Sequence, residues 1–568
     1  MKSTMKRTVL TIALLMLTLL AGAQQLVTDT LGFGIEAEAS YARSENTDKT
    51  GRLGFAYRHQ TFDIYGALAF EQPNNVQEGQ VVHMVKADSL WRHSYDMRHE
   101  EGGKGYQGQI GLNLRLKPEH TFGLIYTMDH VPSADDGGSL IGTISMNGLH
   151  SLYTEKDWTF YSGNMTGHLL NAFYRGQVRQ TSIEVDAEYY FDKVNQNIII
   201  EEKEGDEKAE TGNSIRQERN RMYALTLDIG HQLAHGMLNW GATYIHTLRD
   251  DHYQQSFLHS LEENTFNRHR FIPYLSHTLE TDYWQFITSM RYDAERHDAH
   301  WLPAIALKRT EADTEIELAY QTTALRPSYG LLSNYASYQD RYDRELGNPE
   351  LQTEYMHHLS FRGNWKWVEG RIGYEDMRHA VVQVAHQSAV EPYLTYWTQD
   401  NLHTLKSVYA ALSLTPEIGR WSPTLNVELR KQWLRLHTDY GNIDMNHPVL
   451  RASLSNEIDL GHGWMAEAVV NYRSKGDERN VAYTKCSLTA DLSIGKRFLG
   501  DKLHVKIEGN DLLHGRREAT RLYDQHTMLQ QDLKFDSRQV MVTLRYSFNM
   551  SHPTYDGHEA GQVERERF

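Results

Sequence analysis

The chain has 568 residues, with 58 Lys and Arg against 74 Asp and Glu and a formal net charge of −16 spread along its length. That balance excludes a nucleic-acid binder working through a basic face. A mean hydropathy of −0.61 excludes a bundle of apolar membrane helices, whereas a membrane-spanning barrel tolerates it, since only alternate residues of each strand meet lipid.

In chain order, the first element is a leader. Lys2, Lys6 and Arg7 precede an almost wholly apolar run from Val9 to Leu20, and Ala21-Gly22-Ala23 supplies an A-x-A cleavage site before Gln24. Residues 1–23 read as a secretory signal peptide, and residues 24–30 as a short periplasmic segment. No cysteine stands directly after the cleavage site, so no lipid anchor is expected. After this leader the chain contains no apolar run long enough for a membrane helix.

From Leu31 to Phe548 the dominant signal is a period of two. Gly32 to Ala39 reads as the first stave. Ile110, Leu112, Leu114 and Leu116 alternate with Gly111, Asn113, Arg115 and Lys117. The same pattern recurs at Tyr223–Gly230, Leu503–Glu508 and Val540–Phe548. One face is apolar and the other polar or small, as in a sheet between a dry and a wet medium. Alternation alone also fits a soluble β-sandwich.

The turns separate the two. Short turns are predicted near Arg58–Phe62, Lys117–Thr121, Arg175–Gln180, Leu233–Met237 and Glu280–Tyr283. Five more are predicted near Arg309–Glu315, Trp365–Gly370, Pro416–Ser422, Leu460–Trp464 and Phe498–Leu503. The intervening connections are longer and polar, such as Asp129–Asp157 and Glu201–Ser214. Transmembrane barrels have this asymmetry of short periplasmic turns and long extracellular loops. With both ends in the periplasm, n strands need n/2 − 1 such turns, so these turns predict an all-β, antiparallel, up-and-down barrel of about 22 strands. Trp365, Trp367, Trp421, Trp464, Tyr546 and Phe548 fall near strand ends, where interfacial girdles sit. The lone cysteine, Cys486, reads as a small apolar residue on a strand face. Residues 549–568 read as a polar, periplasmic tail.

Several motifs carry a resemblance. Arg326-Pro327-Ser328-Tyr329, Tyr338-Gln339-Asp340, Gly347-Asn348-Pro349-Glu350-Leu351 and Glu354-Tyr355 form a mid-chain run. Gly509-Asn510-Asp511-Leu512-Leu513, Asp536-Ser537-Arg538, Leu544 to Phe548 and the charged Gly561–Arg567 lie near the end. Together they resemble the TonB-dependent-receptor-like barrels, the outer membrane beta-barrel family proteins. The resemblance implies a 22-stranded barrel in a Gram-negative outer membrane and a part in nutrient uptake. Among its signature residues, Arg326, Pro327, Gly347, Asn348, Pro349, Asn510, Asp511 and Phe548 are assigned structural roles. Pro327 cannot donate to a ladder and belongs where pairing stops, and Gly347-Asn348-Pro349 punctuates a loop.

The family's receptors carry an N-terminal plug, whereas barrel-like alternation here starts near Leu31. The expectation is therefore a chain without its own plug, whose lumen is filled by inward loops or by a partner. No catalytic, cofactor or metal site is expected, since H-E-x-x-H, phosphate-loop, G-x-S-x-G and EF-hand patterns are all missing. His297-Asp298-Ala299-His300 is a polar loop tip with the makings of a weak metal site, and His357-His358 points one ring to each face of a strand. Three functions follow: a surface uptake or binding barrel, a structural or adhesion barrel and, least supported, an outer-membrane hydrolase. Expected partners are outer-membrane lipid, the barrel-insertion machinery and a plug-bearing chain or surface lipoprotein, with no nucleic acid.

Overall fold

The computed structural model describes residues 32–86, 89–117, 119–296, 298–388, 390–391, 393–550 and 555–568. The predicted leader, residues 1–23, and the predicted periplasmic segment 24–30 lie outside them. Twenty-two antiparallel strands form one closed wall. Gly32–Arg43 pairs with Thr47–Arg58 on one side and with the last strand, Gln539–Phe548, on the other. Ile35 faces Phe548 and Arg43 faces Val540 across the seam. Closure leaves the wall without an open edge, the condition for a sheet to stand in lipid.

Each of the ten predicted short turns joins two wall strands. Examples are the turns between Thr47–Arg58 and Phe62–Gln72, between Glu210–Leu233 and Gly236–Gln255, and between Ser487–Phe498 and Leu503–Asn510. The period-two reading holds as well. Tyr223, Leu225 and Leu227 are exposed on the outside, while Glu218, Asn220 and Met222 of the same strand are buried on the inside. The molecule is thus apolar outward and polar inward, which suits a wall solvated by lipid. Basic side chains near the short turns lie over girdle rings, as Lys496 does over Trp464 (4.7 Å) and Lys502 over Phe548 (5.2 Å). Such pairs set the edge of the apolar band at the interface.

Two expected loops are strands instead. Asp129–Asp157 lies almost entirely within His120–Met146 and Leu149–Val178, joined by a tight turn at Asn147-Gly148. In Glu201–Ser214, Thr181–Glu204 runs on to Glu204 and Glu210–Leu233 begins at Glu210. With about 9–11 residues sufficient to cross the membrane, the 28-residue Leu90–Lys117 and its neighbours stand far above it. Above the lipid nothing demands alternation, but hairpin pairing still satisfies the backbone, so polar sequence continues as strand.

Shorter strands brace this outer rim. Asn74–Lys86 pairs with the outer half of Leu90–Lys117 and with Thr527–Phe535. The connection 326–353 folds inward through a helical turn, Tyr329–Leu332, and the strands Ala336–Tyr338 and Asp343–Leu346. Stacking holds it there: Tyr335 lies on Tyr253 (3.9 Å, 4°) and Tyr338 on Phe257 (4.5 Å).

The tail differs most from expectation. Instead of a polar tail in the periplasm, its described residues 555–568 pack against the inner wall. Entry is made possible by Gly34, where a Cβ would meet the Asn549 carbonyl oxygen at 2.1 Å. Cys486 also departs from its reading: it is exposed and sits just before the strand Ser487–Phe498, not on its face.

Candidate functional site: a half-filled lumen

Met550 and Tyr555 rest on Ala56, Tyr65 and Ile125 of the inner wall, and Tyr555 meets Phe173 edge-on at 5.0 Å. Further on, the His558 backbone N–H donates to Asp186 (2.7 Å) and that of Gly561 to Glu188 (3.2 Å). Arg565 pairs with Glu188 and Glu559. Gly561, Glu564 and Arg567 are buried while Gln562, Val563 and Glu566 are exposed, the spacing of one face of the helical turn Gln562–Arg565.

Glu564 is 1% exposed and is the hub. Its carboxylate accepts from Tyr329 Oη (2.5 Å), Arg567 Nη1 (2.9 Å), Thr247 Oγ1 (3.2 Å) and Arg270 Nη1 (3.2 Å). Arg270 also grips Asp293 with two bonds (2.9 and 2.6 Å), and Arg567 donates to Glu295 (2.8 Å). Phe568 closes the tail by stacking on Tyr190 (5.7 Å) and Tyr329 (5.6 Å) and packing on Met222, Ala224 and Ile245. Buried ion pairs roughly break even against desolvation when fully satisfied and cost heavily when broken. The network therefore fixes where the tail sits, and the aromatic contacts at its two ends supply much of the gain.

The signature residues sort around this network. Arg326 is buried, donates to Asp293 (3.1 Å) and pairs with Asp298. Pro327 accepts from Arg567 Nε through its carbonyl (3.2 Å), and the Arg567 carbonyl in turn accepts from the Tyr329 N–H (2.8 Å). Gly347 passes so close to Ser333 that a Cβ would meet its carbonyl oxygen at 1.6 Å. Asn348 donates from its side chain to the Gln399 carbonyl (2.9 Å), and Pro349 follows it, exposed. Asn510 ends the strand Leu503–Asn510 opposite Gln539. Asp511 caps the next turn by accepting from the N–H groups of Gly515 (2.8 Å) and Arg516 (3.0 Å). Phe548 faces outward at the seam. Arg326 and Pro327 thus belong to the tail's receptor, which sequence reasoning missed. The signal lay in Tyr329, three residues beyond Arg326, and in the paired charges of Glu564–Arg567.

The opposite side of the lumen is not covered by the tail. A cavity of about 500 Å³ lies against the strands from Val368–Gln387 to Ser487–Phe498. Its inner lining includes Arg371, Glu428, Arg451, Ser453, Asn471 and Arg473. Arg371 pairs with Glu369 (3.0 Å) and Arg451 with Glu478 (2.7 Å). The lining therefore carries both signs of charge rather than one dominant sign.

Among the described residues, the histidines singled out in the sequence hold other partners. Asp298 is occupied by Arg326, Thr353 (2.6 Å) and His300 (2.6 Å), and His297 lies outside the described residues. His357 bonds Tyr320 (2.7 Å) and His358 bonds Tyr409 (2.9 Å), in different neighbourhoods. Among the described residues a different trio gathers: His83, His93 and Asp343 place ligand atoms within 4.8 Å of one another. Burial first, then the adjacent His83, push the His93 imidazole down to about 4, so it is neutral at neutral pH.

The family model for the outer membrane protein beta-barrel family matches residues 280–546. Among solved structures, the siderophore receptor PirA from Pseudomonas aeruginosa is 10% identical with a TM-score of 0.59, over 92% of this chain and 81% of that one. A ferric enterobactin receptor (PfeA) mutant from the same organism is 11% identical with a TM-score of 0.62, over 91% and 81%. The outer membrane transporter YddB from Escherichia coli is 10% identical with a TM-score of 0.60, over 92% and 81%. No curated protein sequence matches the chain. At these identities the likeness establishes a shared fold. With a closed 22-strand wall, an apolar outer band and a match to the outer membrane protein beta-barrel family over residues 280–546, the chain is an outer-membrane β-barrel of a Gram-negative bacterium.

Proposed function

We propose that this barrel takes up or binds a polar nutrient at the cell surface, using the uncovered half of its lumen as the route and its C-terminal tail as an internal stopper. The observation that carries the reading is the cavity of about 500 Å³ whose lining includes Arg371, Arg451 and Arg473, on the side of the lumen opposite the docked tail. A wall of 22 strands encloses more space than its own side chains fill, so what occupies the interior decides what passes. The fold is shared with transport receptors, which supports transport over catalysis. Insertion by the barrel-assembly machinery and association with a plug-bearing chain or surface lipoprotein are part of this reading.

A second reading, adhesion, is favoured by one feature. The hairpins between Leu90 and Val178 rise well above the membrane and offer a surface for a ligand. Liposome swelling separates the two. Purified barrel should admit small polar solutes, with the rate changed by Arg371→Ala and Arg451→Ala together. An impermeant barrel that binds a surface ligand through residues 129–157 would replace uptake by adhesion.

A further inference from the structure

His83 and His93 stand directly opposite each other in the outer hairpin of Asn74–Lys86 and Leu90–Lys117. Opposed residues on paired strands project from the same face with neighbouring Cβ atoms. Asp343 reaches the pair from the inward-folded connection, its Oδ1 3.4 Å from His83 Nδ1. His83 is 2% exposed and His93 is fully buried. Beyond that approach of His83 Nδ1 to Asp343, His83 Nε2 and both ring nitrogens of His93 make no hydrogen bond. Buried imidazole nitrogens without partners are costly and rare in a folded protein, so a group that satisfies them is called for.

We propose that His83, His93 and Asp343 bind one first-row divalent transition cation, with zinc as the reference ion. Two imidazoles and a carboxylate form a ligand set that zinc and its neighbours favour and that calcium and magnesium do not. The surroundings are those of a metal site. Trp397 Nε1 donates to Asp343 (2.7 Å), the outer contact that orients a ligating carboxylate. Aromatic rings enclose the trio, Trp397 lying 5.0 Å from His83 and Tyr342 5.1 Å from His93.

The ion is resident, not cargo, because its ligands are closed off from solvent. It staples the connection 326–353, whose other end carries Tyr329 on the tail, to the extracellular hairpin. The inference rests on this trio alone and stands whether or not the barrel transports.

The test uses the full chain purified from outer membranes in detergent, stripped with chelator and titrated calorimetrically with Zn²⁺, then with Ca²⁺ and Mg²⁺. One Zn²⁺ per chain should bind saturably, without competition from Mg²⁺. His93→Gln and Asp343→Asn should each abolish that binding, Trp397→Phe should weaken it about 10–100-fold, and His357→Gln should leave it unchanged. Heat-modifiable migration on gels confirms that each variant is a closed barrel. Absence of saturable Zn²⁺ binding to the wild-type chain, or full affinity in both His93→Gln and Asp343→Asn, overturns the proposal. If the variants do not fold, X-ray absorption of the wild-type zinc complex decides. Two imidazole nitrogens in the first shell support the site, and a shell without imidazole removes it.

Discussion

Along the inner wall from Thr47–Arg58 to Trp284–Glu295, the C-terminal tail covers the side chains. From Val368–Gln387 to Ser487–Phe498, by contrast, arginines and glutamates of the wall face a cavity. Both halves are made of the same alternating strands, with lipid outside and polar groups inside. They differ in how their charges are satisfied. On the covered side, Arg270 and Asp293 pair within the wall and, with Glu295, take further partners from Arg326 and from the tail itself. On the open side, Arg371, Arg430 and Arg451 take partners from the wall. Where wall carboxylates and guanidiniums can take further partners, the tail supplies them.

Breaking the hub of the covered half should have the largest effect. Glu564→Ala leaves Arg270 and Arg567 short of their shared carboxylate in a buried setting, which costs about 3–5 kcal/mol of tail docking. Amide exchange across 555–568 should then rise toward that of free chain while the wall strands stay protected. Phe568→Ala removes the stack on Tyr190 and Tyr329 and should cost about 1–2 kcal/mol, seen as a smaller rise in the same amides. In the open half, Arg451→Ala breaks a half-exposed pair with Glu478, worth under about 1 kcal/mol. It should leave the tail protected yet shift the reversal potential toward cations. Labelling Cys486 should change stability least of all. It is exposed on the side away from the short turns, so a membrane-impermeant maleimide should modify it on intact cells. Failure to label would invert the assigned sidedness.

Much of the wall was legible because lipid imposes a rule on sequence. The ten turns and the faces at Ile110–Leu116, Tyr223–Ile229 and Val540–Phe548 follow from it. The rule lapses above the membrane, which is why Asp129–Asp157 and Glu201–Ser214 read as loops although both are mostly strand. The tail was read as solvent-facing from its charge, yet Glu564 and Arg567 are buried because each meets its opposite in the lumen. That matching depends on Arg270 and Glu295, far away in sequence. For the histidine trio, half of the geometry was within reach. A hairpin that pairs Lys86 with Leu90 must also pair His83 with His93. Asp343 comes from a connection whose inward fold no local pattern announces.

The central claim is that the tail closes one half of the lumen. Single-channel conductance in planar bilayers tests it most directly, comparing the full chain with one ended at residue 554. Because the wall closes at Phe548, the shortened chain should still insert as a heat-modifiable barrel. It should open a markedly larger conductance than the full chain, and Glu564→Ala should reproduce part of that gain. Equal conductance from both chains, with both inserted and closed, would contradict the account.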